Sequence, residues 1–217
     1  MKGQLTTVII DSTNRKVGST AENAKYDIAW DNILESGKYK LHWRYMEAEP
    51  AAIVNGLLFT IYDGYYADNM TFTDTAPLRT IGLAGPSSGL TTDISSLFTG
   101  TNGSVINNNP QYMTILYTGR FLASVTGLYT FYTISDDASE LWIGSIALTG
   151  YTVLNAVVNN SGTHGAIERS GTINLVGGTY YPIRIIYGEE GGGESMDISF
   201  TPPGGIRTNN GLGYYYQ

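Results

Sequence analysis

Two adjacent acids, Asp136 and Asp137, follow Ser135 where a strand-forming run ends. They are the residues of this chain best suited to chemistry. The run is GLYTFYTISDDASELWIG, from Gly127 to Gly144. Tyr129, Phe131 and Thr133 alternate along it, and Leu141-Trp142-Ile143 leaves on the far side as a second short strand. Asp is depleted in strands, and neighbouring carboxylates repel each other. A hard cation rewards the arrangement, because Ca2+ takes about six to eight oxygens and favours carboxylates. The plainer alternative is a β-turn, since Asp suits turn positions and Ser135 can bond locally.

The wider run YTGRFLASVTGLYTFYTISDDASELWIG, Tyr117 to Gly144, resembles the signature of the protective-antigen-type lectin-like domain, called the PA-fourteen domain. The shared features are a Gly-Arg strand, a G-x-Y-x-F strand, the S-D-D turn and a short strand ending at Gly. That family occurs in yeast flocculins and adhesins, in bacterial toxins and as modules of glycosidases. The resemblance extends from Gly56 to about Tyr216. It implies an all-β chain, with an antiparallel β-sandwich over residues 56–217 and an appended N-terminal β segment over residues 1–55. It also implies a cis peptide between Asp136 and Asp137, Ca2+ held by both, and sugar hydroxyls completing the coordination.

The same resemblance supplies the second half of the site. Counting along YYP-x-x-x-x-Y, the family's metal-binding Asn falls on Glu189, and its carbonyl ligands fall on Gly191 and Gly193. Glu in place of Asn is a departure: an added carboxylate strengthens metal binding but crowds a sugar hydroxyl. The implied metal set is therefore Asp136, Asp137, Glu189, Gly191 and Gly193. The implied carbohydrate set is Asp136, Glu189, Glu190 and Trp142. For the loop Gly188–Glu194 the plain reading is a flexible hairpin. For Trp142, alternation sets it opposite Leu141 and Ile143, where it stacks on a sugar or packs; packing is the commoner fate of a large aromatic in a sandwich. Tyr65, Tyr66 and Tyr151, near expected loops, are comparable candidates.

The elements that must position these residues follow from periodicity. Gln4–Asp11, Lys25–Trp30 and Lys38–Met46 alternate as strands. Ser12–Asn23 is polar and reads as a loop, and Asp31–Gly37 suits one helical turn. About fifty residues are too few to stand alone without a staple, so this segment adds strands to the main domain or to a partner subunit. Its stretches DSTNR, YDIAW and GKYKLHWRY resemble N-terminal segments of structural proteins of large aquatic DNA viruses. Further on, Leu78–Thr101 reads as loop, and Met113–Ala123 and Gly127–Ser135 as strands. Gly171–Val176 reads as a short strand and Gly177-Gly178 as a hairpin turn. Thr179–Tyr187 is a long strand whose Pro182 suggests an edge or a bulge. Ser195–Thr201 is the last strand before the Tyr214-Tyr215-Tyr216 tail.

Composition narrows the function classes. The chain has 217 residues, no Cys, 27 Gly and 17 Tyr, and only 14% charged residues. That excludes thiol-based metal sites and disulfide staples and describes a β-rich, turn-rich surface. The net charge of −7 argues against nucleic acid and anionic membranes as partners. No stretch is long and apolar enough to span a bilayer. Gly85-Pro86-Ser87-Ser88-Gly89 fits G-x-S-x-G without the strand–turn–helix context of a nucleophile elbow. His42 and His164 stand in no catalytic motif, so no enzyme is expected.

The expected function is a Ca2+-dependent carbohydrate-binding adhesin or attachment module with a glycan ligand. The alternative is a capsid or surface building block that uses the sandwich without sugar and forms a homo-oligomer or capsid contact. Weak calcium sites fill outside the cell. No signal peptide is visible in MKGQLTTVIIDSTNR. A mature fragment, an unrecognised export route and a virion all remain open.

Overall fold

The alternating runs of Ile, Tyr, Phe and Thr form strands because β-branched and aromatic side chains suit a pleated, half-buried surface. The computed structural model describes residues 53–80, 83, 85–97 and 111–217, with four short strand stretches nearer the N-terminus. The chain divides into two units, Met1–Ala52 and Ile53–Gln217. In the first unit, β1 (Ile9–Ile10) pairs antiparallel with β2 (Lys16–Gly18), and β3 (Tyr26–Asp27) with β4 (Arg44–Tyr45). Strand β2 lies in the stretch expected to be loop. The expected helical turn at Asp31–Gly37 falls outside the described residues.

The second unit is a two-sheet antiparallel sandwich. The larger sheet runs β10 (Val158–Asn160), β9 (Ala138–Ile143), β12 (Thr179–Glu189), β7 (Met113–Ala123), β5 (Leu57–Asp63), β6 (Ser88–Thr91). A last strand, β14 (Tyr215–Tyr216), also pairs with β7. The smaller sheet runs β11 (Ile167–Leu175), β8 (Gly127–Asp136), β13 (Ser195–Thr201). Alternation sends Leu57, Phe59, Ile61, Tyr117 and Phe121 of the larger sheet into one core with Tyr129, Phe131, Ile198 and Phe200 of the smaller. The Phe121 ring meets those of Phe131 and Phe200 edge-on, each with centroids 5.0 Å apart. Each such buried side chain contributes about 1.5–3 kcal/mol.

A second cluster, Tyr66, Ala138, Trp142, Ala147 and Ile186, covers the outer face of the larger sheet. Strand β9 is therefore buried on both faces, every residue of it. Three expectations change. Strand β6 emerges from the stretch read as loop. Gly177-Gly178 is not a hairpin turn, because β11 and β12 lie in different sheets and the glycines carry the chain between them. Pro182 sits in a central strand, but where one neighbour has ended: β12 pairs with β9 only from Ile183 onward. The Pro182 carbonyl accepts from Gly144 N–H at 2.8 Å, so the missing donor faces the open end of β9.

Candidate functional site

Register brings the acids together. Strand β8 belongs to the smaller sheet and β9 to the larger, so Asp136 and Asp137 form the corner between sheets. Gly188 of β12 pairs with Ala138 of β9, which sets Glu189 beside Asp137. Ser195 of β13 pairs with Asp136 of β8. The glycine loop after Glu189 therefore crosses from the larger sheet to the smaller, next to the corner that crosses the other way. The Asp136–Asp137 peptide is cis, as the resemblance implies.

Three carboxylate groups, Asp136, Asp137 and Glu189, each place an oxygen within 4.8 Å of the others. Asp137 and Glu189 are buried. Asp137 is oriented by two backbone donors: His164 N–H to Oδ1 at 2.8 Å and Glu190 N–H to Oδ2 at 2.9 Å. The Tyr187 hydroxyl lies 2.6 Å from the Asp136 carbonyl and 3.2 Å from Glu189 Oε2. It has one proton to donate, and the nearer acceptor takes it. Glu189 Oε1 is buried without a hydrogen-bond partner. Burial, then the Asp137 charge and the Asp136 charge, push the Glu189 carboxyl up to about 7. Burial and the Asp137 charge also raise Asp136 above its ordinary value. Converging negative charge with an orphaned buried oxygen is the condition that a bound cation relieves.

The donor set therefore fits a hard cation. It holds carboxylate oxygens only, with no His or thiolate among the clustered ligands, as Ca2+ prefers. Gly193 lies alongside: a Cβ there stands 3.5 Å from Asp136 Oδ2. Gly191 lies against Gln111, whose Oε1 a Cβ meets at 2.7 Å. The Glu190 side chain turns to the rim and accepts from Thr163 Oγ1 at 2.9 Å.

Trp142 is not at the site. It is fully buried, donates from Nε1 to the Thr152 carbonyl at 2.9 Å, and packs on Tyr151 with centroids 5.5 Å apart. A ring without exposed surface offers no face to a sugar. Tyr66 is likewise buried, its hydroxyl donated to Glu140 Oε2 at 2.6 Å. Tyr151 lies under the Arg184 guanidinium, 4.1 Å from the ring centroid. Tyr65 reaches the rim of the site, through a hydrogen bond to Thr163. Sequence reasoning missed the His164 N–H, Gln111 and Tyr187. Only Tyr187 carried a signal: it stands two residues before Glu189, on the same strand face.

The GLEYA domain family matches residues 113–202. No curated protein matches the chain. Among solved structures, the Epithelial Adhesin 6 A domain of Candida glabrata, in complex with Galβ1-3GlcNAc, is 18% identical, with a TM-score of 0.57 over 78% of this chain and 89% of that one. The PA14 domain of the MpAFP antifreeze protein is 14% identical, with a TM-score of 0.50 over 79% and 95%. An anti-sigma factor domain-containing protein is 17% identical, with a TM-score of 0.55 over 75% of this chain, which spans about half (48%) of that one. None of these three is a viral structural protein, and the viral resemblance of the N-terminal segment gains no support. Topology and comparisons agree on the fold: residues 53–217 form an antiparallel β-sandwich of the PA14 type, within which residues 113–202 match the GLEYA domain family.

Proposed function

We propose that the domain is a calcium-dependent carbohydrate-binding module of the adhesin kind, acting outside the cell, where calcium is abundant. The observation that carries this is the Asp136–Asp137–Glu189 carboxylate cluster, with its orphaned buried oxygen on Glu189. Asp136, Asp137 and Glu189 hold the cation with side chains, helped by carbonyls of Gly191 and Gly193. Ca2+ supplies open coordination positions to vicinal hydroxyls. Asp136 and Glu190 then accept hydrogen bonds from the sugar, while Glu189, expected among the sugar contacts, is fully buried and serves the cation alone. The C. glabrata adhesin, whose fold this domain shares, is a glycan complex, and that supports the ligand class.

Calorimetry with Ca2+ and thermal denaturation test the reading. Ca2+ at a hundredfold excess over Kd adds about 2.7 kcal/mol of stability, a rise of several degrees in Tm. Mg2+ does much less, because it demands a small octahedral shell. Asp137→Asn loses most of the heat of binding, and a glycan array gives signals that chelator removes. Equal calcium heats for both proteins remove the cation site; silence on the array with calcium bound removes the sugar.

A further inference from the structure

Main-chain pairing between β12 and β7 ends with Glu189 opposite Met113. The preceding residue, Tyr112, has a φ of +50°, in the left-handed region, so the ladder does not continue alongside the glycine loop. Gln111 takes over with its side chain. Its Nε2 donates to the Gly192 carbonyl at 3.2 Å, and Gly192 N–H donates to its Oε1 at 2.9 Å. A primary amide offers a donor and an acceptor side by side, as a strand backbone does. The side chain thus stands in for one more rung of the ladder.

Gln111 is itself fixed from behind. Arg79, only 8% exposed, donates through Nη1 to the carbonyls of Gln111 at 3.1 Å and Tyr112 at 2.9 Å. The same nitrogen pairs with Asp63 at 3.3 Å. Gly64 N–H adds a bond to the Tyr112 carbonyl at 2.9 Å. At the other end of the loop, Glu190 N–H is tied to Asp137. The clamped residue, Gly192, stands between Gly191 and Gly193, the residues assigned carbonyl roles above.

We infer that Gln111 is a positioning residue for cation binding: it holds Gly192 so that the flanking glycines present themselves to the carboxylates, and Arg79 holds Gln111. The inference rests on the cation-site reading. Three consecutive glycines give the loop wide backbone freedom. Ordering it before the ligand arrives removes that cost from the binding step. Loss of the clamp therefore weakens binding and leaves the sandwich core untouched.

The test uses the full chain as wild type, Gln111→Ala and Gln111→Met. Methionine keeps the bulk against Gly191 without either hydrogen bond. Terbium luminescence with Ca2+ competition gives cation affinity, thermal denaturation in chelator gives stability, and amide hydrogen exchange reads the Gly192 N–H. Both variants should bind about tenfold more weakly or worse, in the range typical of outer-shell residues. Their Tm in chelator should match the wild type, and Gly192 should lose protection. If the wild type binds cation and both variants bind equally well, the clamp inference falls and the cation site stands. A drop in Tm parallel to the drop in affinity makes Gln111 a general structural residue and overturns it too. No cation binding by the wild type overturns both readings.

Discussion

Glu189 carries a sharp conflict at the scale of single residues. Its carboxyl is buried beside two others and pushed up to about 7, so near neutral pH much of it keeps a proton when no cation is present. A cation needs the carboxylate, so binding must displace that proton. Ca2+ affinity should therefore rise from pH 6 to pH 8 and level off above, measured by calorimetry in matched buffers. An affinity flat across that window would take Glu189 out of the ligand set. Glu140 shows the same raised pKa without a ligand role. Burial pushes it from its ordinary 4.5 to about 8, against a smaller opposing effect of the Tyr66 hydrogen bond. Its Oε1 and Asp68 Oδ1 are both buried without a donor, and the two carboxyls lie within hydrogen-bonding reach. One proton between them satisfies both. A carboxyl whose folded pKa lies above the unfolded value holds full stability below about 4.5 and loses it as pH rises towards 8. Glu140→Gln keeps an acceptor for Tyr66 and gains a donor for Asp68, so the stability decline between pH 5 and pH 8 should flatten in denaturant titrations. A variant with an unchanged slope would place the cause elsewhere.

Elements explain what could be read beforehand and what could not. The strands around the site were legible because alternation of Tyr, Phe and Ile is local, and the Asp-Asp corner because its signature is contiguous. Glu189 followed from family spacing along one strand. The Gln111 clamp was invisible, because it joins residues 81 apart in sequence where a ladder stops. Stacking and packing both stayed open for Trp142, because alternation gives the face of a strand but not what covers it; here Tyr66, Tyr151 and Ala147 bury that face. Gly177-Gly178 looked like a hairpin turn because a turn signal does not say which sheet the next strand joins. One close approach was equally hidden. A Cβ on Gly171 of β11 would stand 1.6 Å from the Val157 carbonyl oxygen. The obstacle is backbone, so Gly171→Ala must push apart β11 and the segment leading into β10. It should cost at least about 1–3 kcal/mol. Chemical denaturation checks this, and a midpoint equal to the wild type would show that the segments separate freely.

The whole second unit is arranged along β7. Met113, at one end, pairs with Glu189 beside the acids, while Phe121, eight residues on, pairs with Tyr215. At about 3.3 Å per residue the two ends stand roughly 26 Å apart. Where the chain enters this unit, Val54 and Gln217 bond each other's backbones, at 3.4 and 2.8 Å, and Gly56 N–H reaches the Tyr215 carbonyl at 2.8 Å. The chain's entry and exit therefore sit together, towards the end of β7 away from the acids. That arrangement separates the closing strand from the carboxylate cluster. Tyr215 is 1% exposed, and Tyr214 lies 4.7 Å from the Phe200 ring between centroids. Deleting Tyr214–Gln217 removes the closing strand and opens the aromatic core beneath it. The loss should match a large-to-small aromatic substitution, about 3–5 kcal/mol, or a fall in Tm on the order of 10 °C. Because the carboxylate cluster is held by β8, β9 and β12 at the other end, the truncated chain should bind Ca2+ with unchanged affinity below its melting temperature. Calorimetry beside a thermal scan reads both quantities on one sample. A truncation that weakened calcium binding along with the fold would show that the two ends of β7 act as one cooperative unit.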